Sequence, residues 1–214
     1  DYYPLTPWTL DPGQPLAFEP FVHGPILGQR LGQAPSGGIV AAGVSGSQRI
    51  SALAARDHVL GFRAVSGRGE VFCAGAKVVK NVTGYDLPKL AAGSWGRLFA
   101  MTELTLKVLP RPLETAHRIL RGLDDPHAIR AMAMAMGSQA DVAAAAHLPA
   151  DVANGESVTI LRIQGFGPSV AARCSLLEAL LAEFGTVHAP STDEAAALWD
   201  DLRTLAPLGP TKAI

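Results

Sequence analysis

The sequence is poor in cysteine, in aromatic side chains and in excess charge of either sign, and each shortage closes off a class of function. Cys73 and Cys174 lie far apart with no C-x-x-C spacing, which excludes a cysteine-rich zinc or iron–sulfur site and predicts two free core thiols in a reducing cytoplasm. Eighteen basic against nineteen acidic side chains leave a formal charge of -1, so the footprint of a nucleic-acid binder is missing. No apolar run reaches the roughly 18 residues of a membrane span. The opening DYYPLTPWTLDPGQPL lacks the basic-then-apolar order of a signal peptide.

Catalytic signatures are missing too. His23, His58, His117, His127, His147 and His188 show neither H-x-x-x-H nor H-E-x-x-H spacing, so no metal is expected. Ser45, Ser94 and Ser138 lie outside any G-x-S-x-G elbow, and there is no G-x-x-x-x-G-K-[ST] or G-x-G-x-x-G motif, which argues against a hydrolase, a P-loop nucleotidase and a Rossmann domain. The alternation AMAMAM at Met132, Met134 and Met136 reads as helix packing.

What is present is apolar material and glycine. At 214 residues and 48% hydrophobic, the chain can build one large or two modest domains. Residues 1–36, with prolines at 4, 7, 12, 15, 20, 25 and 35, predict an extended lead-in. From 37 to 112 short strands alternate with glycine turns. HVLGFRAV (58–65) and GEVFCAG (69–75) predict a hairpin, Asp86-Leu87-Pro88 opens a short helix that Gly93 ends, and ELTLKVL (103–109) is a half-buried strand. From 113 to 214 the order is strand (115–121), helix from Asp125-Pro126 to Gly137, strands (141–147 and 157–163), helix from Gly167 to Gly185 and strand (186–188). This β-α-β-β-α-β order predicts a ferredoxin-like plan, with a capping box at Ser191 and Glu194 opening a further helix. DVAAAAH (141–147) has the propensity of a helix as well. The fold class is α+β.

Three segments are dense enough in special residues to carry chemistry. Ser36 to Gly46, SGGIVAAGVSG, places two glycine turns around a small-residue run and offers backbone N–H groups to an anion such as a pyrophosphate; a tight turn packed on a helix explains it equally well. Asp57, in Arg56-Asp57-His58, can accept from a ligand hydroxyl or pair with its neighbouring arginine. Lys80 to Asp86, KNVTGYD, gathers a cation, an amide, a hydroxyl, a phenol and a carboxylate. Asp86 there can equally be a helix N-cap, and Tyr85 a packing wedge. Lys80 and Tyr85 are the candidates for a catalytic role, Lys80 as a cation for charge developing on a bound cofactor. Gly93-Ser94-Trp95-Gly96 is a further close-approach turn, followed by Met101 and Thr102.

KNVTGYDLPKLAAGSWGRLFAMTELTLKVLPRP, with GGIVAAGVSG, ARDHVLGFRAVSGRGEVF and LAFEP, resembles the FAD-binding subunits of bacterial glycolate oxidase (GlcE type). These belong to the PCMH-type, vanillyl-alcohol-oxidase-like FAD-linked oxidases. The resemblance runs from about 14 to 112 and continues more weakly through AAHLPA, GFGPSVAAR and ALWDDLR. It implies the second subdomain of a PCMH-type FAD-binding domain over 37–112, followed by an incomplete cap domain over 113–214; the family's preceding α/β subdomain has no counterpart in residues 1–36. FAD is the implied cofactor, held by Gly37, Gly38, Gly43, Ser45, Gly46, Asp57, Lys80, Asn81, Gly84, Tyr85, Asp86, Gly93, Gly96, Met101 and Thr102. The implied activity is oxidation of glycolate, a small 2-hydroxy acid, to glyoxylate. Electrons pass to a membrane carrier through a homologous catalytic flavoprotein subunit and an iron–sulfur subunit, in the cytoplasm or at the inner membrane's periphery. The alternative is a non-catalytic docking subunit that keeps the flavin fold. Two departures stand out: the family's asparagine in the second glycine turn is replaced by Gly43-Val44-Ser45, and its T-I-G-G entry by Pro35-Ser36-Gly37-Gly38.

Overall fold

The computed structural model describes residues 16–22, 36–78 and 84–208, and the chain divides into two compact units, the first ending at Arg111 and the second beginning at Pro112.

In the first unit, SGGIVAA forms helix α1 (Ser36–Ala42). The first of the two expected glycine turns is therefore the opening of a helix, because Ile39 and Val40 bury their side chains and the alanines after them favour helix. Two short helices follow, α2 (Arg49–Ala52) and α3 (Ala55–His58). Leu16 and Phe18 are buried against Ile39 and Ala55, so part of the expected lead-in is core; proline spacing had masked the apolar triplet Leu16-Ala17-Phe18. The imidazole of His58 is buried, with Nε2 2.7 Å from Ala52 O and Nδ1 3.3 Å from Lys107 O. It ties the end of α2 to the chain leaving the sheet.

That sheet has the order β2-β1-β3, from β1 (Val59–Ser66), β2 (Val71–Gly75) and β3 (Phe99–Leu106), all antiparallel. Strand alternation sends Phe62, Ala64, Phe72, Ala74, Phe99 and Met101 to one face, where α4 (Leu87–Ala91) covers them with Leu87 and Ala91. Phe62 stacks on Phe99 at 4.9 Å and Phe72 meets both edge-on, at 5.8 and 5.3 Å. The hairpin turn closes as expected, with Gly69 N–H donating to Ser66 O. β3 begins four residues before the predicted start, because Phe99 and Met101 belong to the aromatic layer and pair along β1 as far as Ser66. Cys73, expected in the core, is exposed, since it falls on the other face of β2.

The second unit follows the ferredoxin-like order. β4 (Glu114–Arg121), β5 (Val142–Leu148) and β6 (Val158–Gly165) pair antiparallel in the order β4-β6-β5. Ile119 and His188 form an antiparallel bridge on the free side of β4, so the expected fourth strand is reduced to one bridging residue. Helices α5 (Asp125–Met136) and α6 (Gly167–Leu180) cover one face with Ala131, Ala135, Val170, Cys174 and Leu177. Burial raises the pKa of the Cys174 thiol. Met132, Met134 and Met136 pack against the same core. The other face is covered by α7 (Thr192–Thr204) through Ala195, Leu198, Trp199 and Leu202. Covered on both sides, β6 is buried from Val158 to Ile163.

Candidate functional site

Two of the glycine segments meet. Val40 O, near the end of α1, accepts from both Gly43 N (2.9 Å) and Gly93 N (3.0 Å), and Ala41 O accepts from Trp95 N (2.8 Å). Gly43, at φ +69, lies so close to Gly93 that a Cβ there would stand 3.3 Å from the Gly93 Cα. The 93–96 turn holds three left-handed residues, Gly93 (φ +79), Trp95 (φ +54) and Gly96 (φ +68), and leads directly into β3, which carries Met101 and Thr102. Met101 faces the aromatic core. Thr102 lies at a register irregularity in the β1–β3 ladder, with its hydroxyl donating to Arg63 O at 3.2 Å.

Other candidates serve the local structure. Ser45 Oγ accepts from Ala55 N at 2.8 Å, and Gly46 donates its N–H to Phe18 O at 2.8 Å while lying against the Glu19 backbone. Asp57 Oδ2 accepts from Ala54 N at 3.1 Å, capping α3, and its other oxygen is 3.8 Å from Arg56 Nε. Asp86 is the N-cap of α4: it accepts from Lys89 N and pairs with Lys89 Nζ at 2.9 Å, and the hydrogen bond from Lys89 holds its carboxyl below the usual range. Gly84 (φ +77) and Tyr85 are exposed, Tyr85 almost fully. Lys80 and Asn81 lie outside the described residues.

What remains open is a smaller set. Gly37, Gly93 and Gly96 have no atom within 4 Å of the position a Cβ would take, and Gly38 is exposed in the first turn of α1. Ser94 Oγ is buried without a hydrogen-bond partner among the described residues. A polar atom shut away from water without a partner is costly. The turn thus has the makings of a ligand contact: backbone that can be approached closely, and a hydroxyl still to be satisfied.

Over 100 residues, 47% of this chain, the sequence is 45% identical to glycolate oxidase subunit GlcE of Escherichia coli (strain K12). Over 136 residues, 62% of this chain, it is 32% identical to glycolate oxidase subunit GlcD of Bacillus subtilis (strain 168). Over 75 residues, 35% of this chain and 16% of the relative, it is 40% identical to an FAD-linked oxidoreductase of Mycobacterium tuberculosis. Along these segments the chain is similar to glycolate oxidase subunits and to an FAD-linked oxidoreductase. It spans 27% of the length of each glycolate oxidase subunit it matches. No family model matches it. Among solved structures it superposes on an alkyldihydroxyacetonephosphate synthase with a TM-score of 0.65 at 17% identity, over 91% of this chain and 38% of that one, which extends the shared fold beyond the aligned sequence.

One of these relatives is named as FAD-linked, and the chemistry of FAD is redox. The residues fit such a group at α1 and the 93–96 turn, where the open glycines and the unpartnered Ser94 hydroxyl lie. They fit it less at Ser45, Gly46 and Asp57, whose polar atoms are already engaged. Among the described residues no helix is long and apolar enough to cross a membrane.

A second cluster escaped the sequence. His117 on β4 is directly opposite Arg162 on β6, and the Arg162 guanidinium lies 4.1 Å over the Trp199 ring of α7. Burial, with the Arg162 charge beside it, pushes the His117 pKa down to about 4. The signal was available as a histidine and an arginine on alternating strands. It was legible only once both faces of the sheet were known to be covered.

Proposed function

We propose that this chain is the FAD-binding part of a glycolate oxidase subunit, with FAD held along α1 and the 93–96 turn. The observation that carries the reading is the junction of these two segments, where Val40 O and Ala41 O fix a turn of open backbone and a partnerless buried hydroxyl. FAD, when bound, supplies the two-electron acceptor for oxidation of a 2-hydroxy acid, here glycolate to glyoxylate. Gly93 and Gly96 let the cofactor approach the backbone, Gly37 and Gly38 leave the flank of α1 free of side chains, and Ser94 Oγ offers a hydrogen bond that costs nothing internal. Electrons pass on to a homologous catalytic flavoprotein subunit and an iron–sulfur subunit. The domain division belongs to the same reading, with the FAD-binding subdomain over 37–112 and a cap over 113–214.

The full-length protein should purify yellow, with the visible absorbance of oxidised flavin, or take up added FAD stoichiometrically. Intact, colourless protein that binds no FAD would end this reading.

A second reading, a docking subunit that keeps the flavin fold without turning over substrate, is favoured by one observation. Arg162, a cation of the kind that holds a carboxylate, is buried opposite His117 with its guanidinium over the Trp199 ring. It predicts unchanged turnover of the assembled enzyme after Lys80→Ala and Tyr85→Phe. A loss of turnover with either would restore the catalytic role.

A further inference from the structure

Trp95 is 74% exposed, although burial of so large an apolar side chain is strongly favoured. It is also held at φ +54, a left-handed conformation costly for any residue with a Cβ. Two unfavourable features at one position are unexplained by packing.

Nor is the turn loose. Trp95 N–H donates to Ala41 O at 2.8 Å, Gly93 N–H to Val40 O at 3.0 Å, Ser94 N–H to Ala91 O at 3.2 Å and Arg97 N–H to Ser94 O at 3.0 Å. The indole is therefore displayed from a braced platform. Gly93 and Gly96 on either side have open space where side chains would stand, and the neighbouring Ser94 hydroxyl is buried and unpartnered. A flat aromatic face beside open backbone and a waiting hydroxyl suits a conjugated ring joined to polar groups.

We propose that Trp95 is a stacking residue for one of the two flat ring systems of FAD. This rests on the reading of α1 and the 93–96 turn as the FAD site, and adds to it a residue with a π-face, where the rest of that site offers backbone and a hydroxyl. Stacking explains both anomalies: exposure leaves the ring free for the ligand, and the left-handed backbone aims it.

The test uses full-length apo-protein titrated with FAD, following tryptophan emission and the dissociation constant in the wild type, Trp95→Phe and Trp95→Ala. The other tryptophans, Trp8 and Trp199, provide the background emission. FAD should quench wild-type emission, and Trp95→Phe should lose most of that quenching while binding FAD within about threefold of wild type. Trp95→Ala should weaken binding by about tenfold, the scale of one lost ring stack. Titration with ADP and with FMN then separates the two ring systems, since only the probe carrying the stacked ring should lose affinity in Trp95→Ala. Equal affinity in all three proteins, or full quenching retained in Trp95→Phe, overturns the proposal while leaving the FAD site intact. If Trp95→Ala fails to fold, the quenching in Trp95→Phe decides alone. Failure of the wild type to bind FAD removes the site reading and this inference together. Normal FAD binding by Trp95→Ala with loss of a copurifying protein would assign the exposed ring to a protein partner instead.

Discussion

The glycines of α1 and the loop after it differ in what surrounds them, and that difference separates folding from binding. Gly46 is buried with the Glu19 backbone where its Cβ would go, so Gly46→Ala must push the 16–19 segment off the core and should cost about 3 kcal/mol. Gly37 has open space at the same point and lies in a helix. Gly37→Ala should therefore leave stability unchanged or raise it by up to about 1 kcal/mol, yet weaken FAD binding by about tenfold if the cofactor lies against α1. Chemical denaturation and FAD titration of both variants give the readout; a stable Gly46→Ala would refute the packing account. His117 makes the second residue-scale prediction. Its pKa in the fold, about 4, is below the ordinary 6.5, so the unfolded chain binds the proton more readily between those values. The resulting stability is complete above about pH 6.5 and is lost as the pH falls toward 4. The full shift corresponds to about 3 kcal/mol, which solvent screening at a half-buried site reduces to about 1–2 kcal/mol. The ring-proton NMR titration of His117 should have its midpoint near 4; a midpoint near 6.5 would contradict the buried, Arg162-facing environment.

At the scale of elements, α7 shows why that environment exists. Ser191 Oγ accepts from Glu194 N at 3.1 Å, starting a helix whose Ala195, Leu198, Trp199 and Leu202 close the second face of the sheet. Trp199→Ala should cost about 2–3 kcal/mol for a large, partly buried side chain. It should also let water reach His117, raising its pKa toward 6.5. A destabilised variant whose His117 midpoint stays near 4 would show that Trp199 contributes packing alone. The start and existence of this helix were legible in Ser191 and Glu194, as were both strand–helix repeats of the second unit, because caps and apolar periodicity are local signals. The Glu194 side chain, half of the predicted capping box, bonds instead to Arg121, a partner 73 positions away that no local pattern indicates. DVAAAAH became β5 because it pairs with β6 from Val142 to Leu148, and strand pairing overrides alanine's helical preference. The glycine run at 36–46 was legible as either an anion-binding backbone or a tight turn packed on a helix, but that its first half is itself helical was not. Of the site, the meeting of the two glycine segments depended on hydrogen bonds from Gly93 and Trp95 to α1, and the importance of Ser94 and Trp95 on burial and exposure, which the sequence does not carry.

For the whole molecule, charge is the property that decides how a partner could be held. Eighteen basic and nineteen acidic side chains nearly cancel, and several of the charged groups are paired within their own unit, as in Arg63–Glu103, Lys89–Asp86, Arg118–Glu178 and Arg121–Glu156. Little unbalanced charge is left to steer association. Apolar side chains are available on the first unit, among them Ile50 (75% exposed), Leu53 (55%) and Val71 (65%), and Leu53 is held at φ 73 and ψ 179, a region otherwise left to glycine. Assembly with the proposed catalytic flavoprotein partner should therefore rest on apolar area, and electrostatic screening should touch it little. Between about 0.05 and 0.5 M salt, the dissociation constant of the full-length subunit from its partner should change by less than about threefold. A complex that falls apart across that range would mean that charge holds the interface, and that the groups responsible lie outside the balanced, internally paired set described above.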